Sequence, residues 1–411
     1  MNGGIEITQK EYVKILIFCG LTSALNVLII VFSFRFTGDE TFSLLGFSKL
    51  GRLSIHTGRA ILLLGCAGLV GSLVPLVRRL SVHVNFTFYI TAFSAVSTLI
   101  LWAAVGSLFD MVGLVDLSLR LSTPIVLGAM AGMLCERTGV VNIAIEGMML
   151  TAACVGFTAT VYLNSIWLGL LCAVLAGSAM AALHAFLSVS MITDQIVSGT
   201  VINILAVGLT GFIRRSFLLR AKLSRTSILP IISIPLLSQI PILGPILFTN
   251  QPIVFLMMIL VIFLTVALFK TRWGLRTRSI GEHPEAADTV GINVFRMKYI
   301  NVMLGGAIAG LAGAWFSLET TGSFDDLMTN GKGFIALAAM IFGKWHPVGA
   351  FIGGLIFGFS DALQIIFQIK NIPIPPQFLW MMPYLITMIV LAGVIGKSTP
   401  PAADGVPYIK Q

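Results

Sequence analysis

Asn142 and Glu146 stand four residues apart in the stretch CERTGVVNIAIEGMMLTAACVGF, which is otherwise almost wholly apolar. On a helix that spacing puts both side chains on one face. An ionisable group is costly in hydrocarbon, so Glu146 must face a bundle interior or a cavity. Two roles then compete: contact with a polar solute or a gate on its path, or bonding to the free backbone amides of a broken helix. Asn203 and Gln364 place further amides in or beside apolar runs, as Asp194, Gln195 and Asp361 place other polar groups. Asn203 and Gln364 can line a path for a hydroxyl-rich solute, and each equally suits an interhelical hydrogen bond. His184 reads as a packed core residue.

A second segment, RWGLRTRSIGEHPEAADTVGINVFRMKYI, is the most polar long connection in the chain. Pro284 suits a first helical position, Glu285, Ala286, Ala287 and Asp288 favour a short turn, and Gly291 can close it. A helix so short is not stable alone in water, so it needs something to pack against. A groove on a partner chain would serve; the plainer reading is that the segment is an ordinary surface loop.

Catalytic equipment is scarce. The chain has no HExxH, no GxSxG elbow and no His/Cys metal cluster. Gly396-Lys397-Ser398-Thr399 resembles a phosphate loop, but position 391 is Leu where Gly is needed and Pro400-Pro401 follow where a helix is needed. No resident cofactor or metal is expected, and any ATP is hydrolysed by another chain.

The elements that must position these residues follow from composition. Of 411 residues 57% are hydrophobic and 10% charged, with a mean hydropathy of +0.97. A soluble domain carries about 25% charged residues, so the missing solvent is lipid. The net charge of +9 comes from short Lys/Arg clusters between apolar runs. These suit headgroups rather than nucleic acid, which is excluded as a partner. The five cysteines form no CxxC pair and read as small hydrophobes.

Apolar runs fall near 13–33, 58–77, 86–109, 115–135, 139–162, 167–190, 193–213, 250–270, 299–318, 333–343, 347–368 and 378–396. In lipid the backbone must satisfy its own hydrogen bonds, so these runs are helices. The expected fold is an all-α polytopic membrane protein with about 10–12 transmembrane helices. The segments at 139–162 and 333–343 are expected to be broken or re-entrant. Glycines four apart (Gly128 and Gly132, Gly306 and Gly310, Gly354 and Gly358) point to closely packed helices.

The basic connection 270–298 is placed in the cytoplasm by its charge, and counting outward puts both termini there too. The same count puts residues 214–249 outside, although that stretch carries Arg214, Arg215, Arg220, Lys222 and Arg225. Its prolines, from Pro230 to Pro252, forbid a long helix and suggest a stiff apolar loop. The tail after Lys397 is expected to be flexible.

Four blocks carry a family resemblance: ERTGVVNIAIEGMML, DQIVSGTVINILAVGL, IGEHPEAADTVGINVFRMKYINVMLGGAIAGLAGAW and GFIALAAMIFGKWHPVGAFIGGLIFG. In these the chain resembles the permeases of ABC importers for branched-chain amino acids, simple sugars and nucleosides, and most of all the nucleoside branch served by a Bmp-type lipoprotein. The resemblance implies a second permease subunit, two cytoplasmic ATP-binding cassette subunits, an extracytoplasmic substrate-binding lipoprotein and a bacterial inner membrane. It also implies that Glu282, Pro284, Glu285, Ala286, Ala287 and Gly291 couple the chain to its ATPase. The substrate order is nucleosides, then simple sugars, then a vitamin. The division expected is an N-terminal extension (1–112) with about three spans, a permease core (113–397) and the tail (398–411). The competing reading is a secondary transporter driven by H⁺ or Na⁺ through Glu146 or Asp361. No second copy of the 136–150 block is evident, which counts against it.

Overall fold

The structure is a computed structural model, and it describes residues 9–36, 42–47, 51–78, 84–106, 108–219, 226–370, 375–381 and 398–410. Among the described residues eight helices are long and apolar enough to cross a membrane, and three shorter apolar ones accompany them. The expected span at 378–396 falls almost wholly outside the described residues, as do Arg220, Lys222 and Arg225. The chain divides into two compact units, residues 1–114 with 364–396 and residues 115–363 with 397–411.

The first unit holds α1 (Gln9–Ser33), β1 (Phe42–Gly46), β2 (Arg52–His56), α2 (Thr57–Arg78), α3 (Val84–Ala103) and β3 (Leu108–Asp110). Polar side chains fasten its helices where lipid offers no hydrophobic drive. Asn26 donates to Thr22 O at 2.8 Å and Thr91 Oγ1 at 3.0 Å, and the Ser23 and Ser72 hydroxyls lie 2.8 Å apart. The small sheet, order β2-β1-β3, pairs β1 with β2 antiparallel and with β3 parallel. Its strands are the departure from a purely helical expectation. They are too short for composition to announce.

The second unit begins in α4 (Met111–Glu136), followed by α5 (Ile145–Leu163), α6 (Ile166–Ala185) and α7 (Gln195–Ile213). Next come β4 (Ile232–Ser233), α8 (Leu243–Leu247), β5 (Thr249–Asn250) and α9 (Pro252–Lys270). Two short charged helices, α10 (Arg272–Glu282) and α11 (Pro284–Thr289), lead to α12 (Val294–Ala314), α13 (Lys332–Phe342) and α14 (Pro347–Ile369). A last short helix, α15 (Pro376–Trp380), follows in the stretch assigned to the first unit. π-helical turns extend α6, α7 and α12 at Phe186–Ser190, Arg214–Leu218 and Trp315–Thr321.

The glycine pairs do the packing expected of them. A Cβ at Gly177 of α6 would collide with the backbone of Gly306 and Gly310 on α12. Gly128 and Gly132 of α4 lie against Ala336 and Met340 of α13, and Gly354 and Gly358 of α14 against Val126 and Ser122 of α4. Outer faces of α7 and α9 expose Ile204 (69%) and Ile262 (68%), which only lipid or another apolar surface would cover.

Arg214 explains one awkward feature of the basic 214–249 connection. Its guanidinium bonds Asp325 at 3.0 Å and Asp326 at 2.9 Å, so its charge is balanced within the unit. The loop itself, over the described residues 226–249, is a short strand, a tight turn and α8, with Leu236 exposed.

Candidate functional site

Residues 137–144, between α4 and α5, are not helical. Gly139 there sits at φ +74, a left-handed turn that glycine adopts without strain. Backbone polar groups exposed by such a break inside a bilayer must find partners within the protein. Side chains from other helices, and one from the break itself, supply them. Gln195 Oε1 accepts from Val141 N at 2.7 Å, and His184 Nε2 lies 3.0 Å from Val141 O. Ser198 Oγ lies 3.0 Å from His184 Nδ1, so the ring bonds at both nitrogens. Asn142 Oδ1 accepts from Ala144 N at 3.1 Å. Asn203 Nδ2 donates to Ile143 O at 3.0 Å, while its Oδ1 accepts from Gly147 N at 2.8 Å.

Glu146 lies in the first turn of α5 and joins the break to a second one. Its carboxylate accepts from Thr329 Oγ1 at 2.6 Å, Gly331 N at 2.8 Å and Gly333 N at 2.6 Å. Those amides open α13, so a single negative charge satisfies the N-terminal donors of one helix while sitting in the first turn of another. Gly331 stands at φ +77, and a Cβ at Gly333 would lie 2.6 Å from the Glu146 amide nitrogen. Beside this contact Lys332 forms an ion pair with Asp361 of α14.

Of the four sequence candidates for the path, Asn142, Glu146 and Asn203 thus converge on the two helix breaks. Each is bonded to backbone. Gln364, half-buried on α14, takes no part in this network. Residues that sequence reasoning left out of the site, Lys332 and Thr329 above all, belong to it. The only signal was a lysine flanked by Gly331 and Gly333 at the start of a short apolar run.

At the α4 end of the break, Trp345 Nε1 donates to Glu136 Oε2 at 2.6 Å, and the Arg137 guanidinium donates to Trp345 O at 2.8 Å. Arg137 and Arg278 both lie over the Phe269 ring, at 5.7 and 5.1 Å. Burial lowers the His346 imidazole below its ordinary range, and the positive charge of Arg137 pushes the same way.

α10 and α11 stand next to this end. Gly281 has no room for a Cβ because Arg137 O occupies the place. As expected, Pro284 starts α11 and Gly291 closes the turn, at φ +83 with its N–H bonded to Asp288 O. Pro284 and Ala287 point inward, whereas Glu282, Glu285, Ala286 and Gly291 face outward. An open groove of about 610 Å³ runs along the pair, lined among others by Leu275, Arg276, His283, Ala286 and Val290. Leu275 (61%) and Val290 (74%) are exposed apolar side chains in a charged surround.

The tail is not loose, contrary to expectation. Ala403 N bonds Gly281 O at 2.8 Å, and Ala402 N bonds Glu282 Oε2 at 3.2 Å. Tyr408 is buried with Ile280, Ala287 and Val294, its ring 5.5 Å from that of Phe295. Pro400, Pro401 and Pro407 suggest an unstructured tail, but a single aromatic anchor gives the segment an apolar surface to fold onto. Burial pushes the Asp404 carboxyl up to about 6, against the opposing pull of Glu136, the Gly405 amide and Lys298.

Comparison with known proteins supplies the rest. Residues 114–392 match the family described as the branched-chain amino acid transport system permease component. The chain is 41% identical to the nucleoside ABC transporter permease protein NupC of Lactococcus lactis over 70% of its own length and 94% of that protein. Identity is also 41% to the guanosine ABC transporter permease protein NupQ of Bacillus subtilis, over 72% and 96%. A putative glucose ABC transporter permease protein of Haloferax volcanii, TsgC13, is 33% identical over 64% and 80%. No solved structure matches. Among the described residues no group of His, Cys, Asp or Glu is placed to hold a metal ion.

Proposed function

The chain belongs to the family of permease components of branched-chain amino acid transport systems, a transport component, and on that footing we propose that it carries a nucleoside across a bacterial inner membrane. The two relatives at 41% identity are named for nucleoside and guanosine transport, which favours that class over the sugar of the Haloferax protein. A second permease subunit completes the path, and an extracytoplasmic lipoprotein delivers the solute.

ATP hydrolysis by two partner subunits drives the cycle, and α10–α11 lie in the groove of one of them on the cytoplasmic side. The observation that carries this reading is the outward-facing pair Leu275 and Val290, apolar side chains on two short charged helices. A push on them reaches Arg137 through its backbone contact with Gly281, then Trp345 and Glu136, then the break at 137–144. Glu146 passes it to α13. A contiguous set of bonded groups of this kind can bias a two-state gate.

An ion-coupled transporter fits less well. Its candidate carboxylates are occupied, Glu146 by three donors and Asp361 by Lys332. The test is copurification followed by uptake of labelled guanosine. An ATPase subunit should accompany the chain, and inactivating that ATPase should abolish uptake. Uptake that persists without it would end the proposal.

A further inference from the structure

Residues 398–410 touch, in order, the elements through which a push on α10–α11 would travel. Ser398 Oγ donates to Ile341 O, near the end of α13, at 3.1 Å. Ala403 O sits where a Cβ of Gly139 would be, 2.7 Å away, on the turn that leaves α4. The Ala402 and Ala403 amides bond the last two residues of α10. Asp404 is set against Glu136 and Lys298, at the end of α4 and the start of α12. Tyr408 fills the space beneath α11, with 7% of its surface exposed. Lys410 Nζ lies 3.7 Å from Asp288 Oδ1 on α11.

A helix of six residues cannot hold itself, and α11 therefore takes its packing from what lies beneath it. That support comes from α10 and α12, with Tyr408 of the tail completing the apolar cluster they share. Ala287 and Ile280 meet Tyr408 on the inner side, and Leu275 and Val290 are left open on the outer side. Without Tyr408 the cluster around Ala287 would lose its one aromatic member, and α11 would follow a push from a partner less tightly coupled to the α4 turn and α12.

We propose that the carboxy-terminal segment 398–410 is a positioning strap: it fastens α10 and α11 to the α4 turn and the start of α12, so that force applied by the ATPase reaches the gate. Tyr408 is its anchor. Ala403 is its seat on Gly281. This rests on the ATPase-coupled reading above, and it assigns a positioning role in energy coupling to a segment outside the partner-facing groove.

The test compares Tyr408→Ser with Tyr408→Phe in the complete importer reconstituted in vesicles, with ATP hydrolysed and guanosine accumulated measured together. The serine variant should keep its ATPase partner and hydrolyse ATP while accumulation per ATP falls by about tenfold, the usual scale of a coupling free energy. The phenylalanine variant should restore it, since the ring does the packing. Should the serine variant fail to insert, a protease site placed after Lys397 allows the tail to be cut from assembled wild-type importer. Release of the cut tail should lower accumulation per ATP in the same way. Unchanged accumulation per ATP in the serine variant, or after the tail is released, would overturn the strap alone. A wild-type chain that holds no ATPase would overturn both the strap and the function it rests on.

Discussion

Glu146 Oε2 accepts the amide hydrogen of Gly333 at 2.6 Å, so the first turn of α5 is bonded to the first turn of α13. One carboxylate serves the starts of both helices. The arrangement makes a compact joint: α5 cannot shift along its axis without dragging α13 or breaking a charge-assisted bond.

Glu146→Gln tests that joint. The amide keeps the shape but replaces one acceptor oxygen with an NH2, leaving one of the two backbone N–H groups unsatisfied at about 1–3 kcal/mol. Thermal stability in detergent should drop by several degrees, and uptake should fall at least about tenfold. Unaltered melting would place the carboxylate elsewhere.

The pair Lys332 and Asp361 is mostly buried, at 21% and 12% side-chain exposure. Removing one partner of such a pair costs about 3–5 kcal/mol, whereas replacing both with apolar groups is often neutral. Lys332→Met should therefore melt well below wild type, and adding Asp361→Leu should recover most of the loss. Additive losses in the double variant would show that the two do not act as a pair.

Gly291→Val isolates backbone strain at the turn that closes α11, the turn proposed to meet the ATPase. No atom lies within 4 Å of the place a Cβ would take, so packing is undisturbed, but φ is +83. A β-branched residue there costs about 1–2 kcal/mol and reshapes the turn. Membrane insertion should be normal while uptake driven by ATP falls about tenfold. Normal coupled uptake would remove the role assigned to the turn.

Much of this was legible in the sequence, and the parts that were not share a cause. Composition and run length gave the helices, because lipid permits little else. Gly128, Gly132, Gly354 and Gly358 gave close packing, and Pro284 with Gly291 gave the limits of α11, since these residues act through local geometry. The i, i+4 reading of Asn142 and Glu146 failed for a physical reason: Asn142 lies in the unwound stretch, so the two do not share a helical face. What holds that stretch comes from Gln195, His184 and Asn203, more than forty residues away along the chain. Lys332 and Thr329 reach Asp361 and Glu146 in the same long-range way. The tail was misread because Pro400, Pro401 and Pro407 outweigh Tyr408 in any local accounting.

Asp404 gives the seated tail a pH dependence. Its carboxyl rises from 3.8 to about 6 when buried beside Glu136 and Lys298, so the seated tail binds a proton more tightly than the released one. Seating is then strongest in acid and weakens as pH rises from about 4 to about 6. A spin label at the exposed Ile409 should become more mobile across that interval, and Asp404→Asn should remove most of the change. A label growing less mobile as pH rises would reverse the sign and refute it.

The most direct measurement of the central claim is accumulation of labelled guanosine in vesicles, with the chain alone and with its ATPase, second permease and receptor added. The chain alone, under an imposed H⁺ or Na⁺ gradient, should accumulate nothing, and the full set with ATP should concentrate guanosine inside. Uphill accumulation by the isolated chain on an ion gradient would contradict the account.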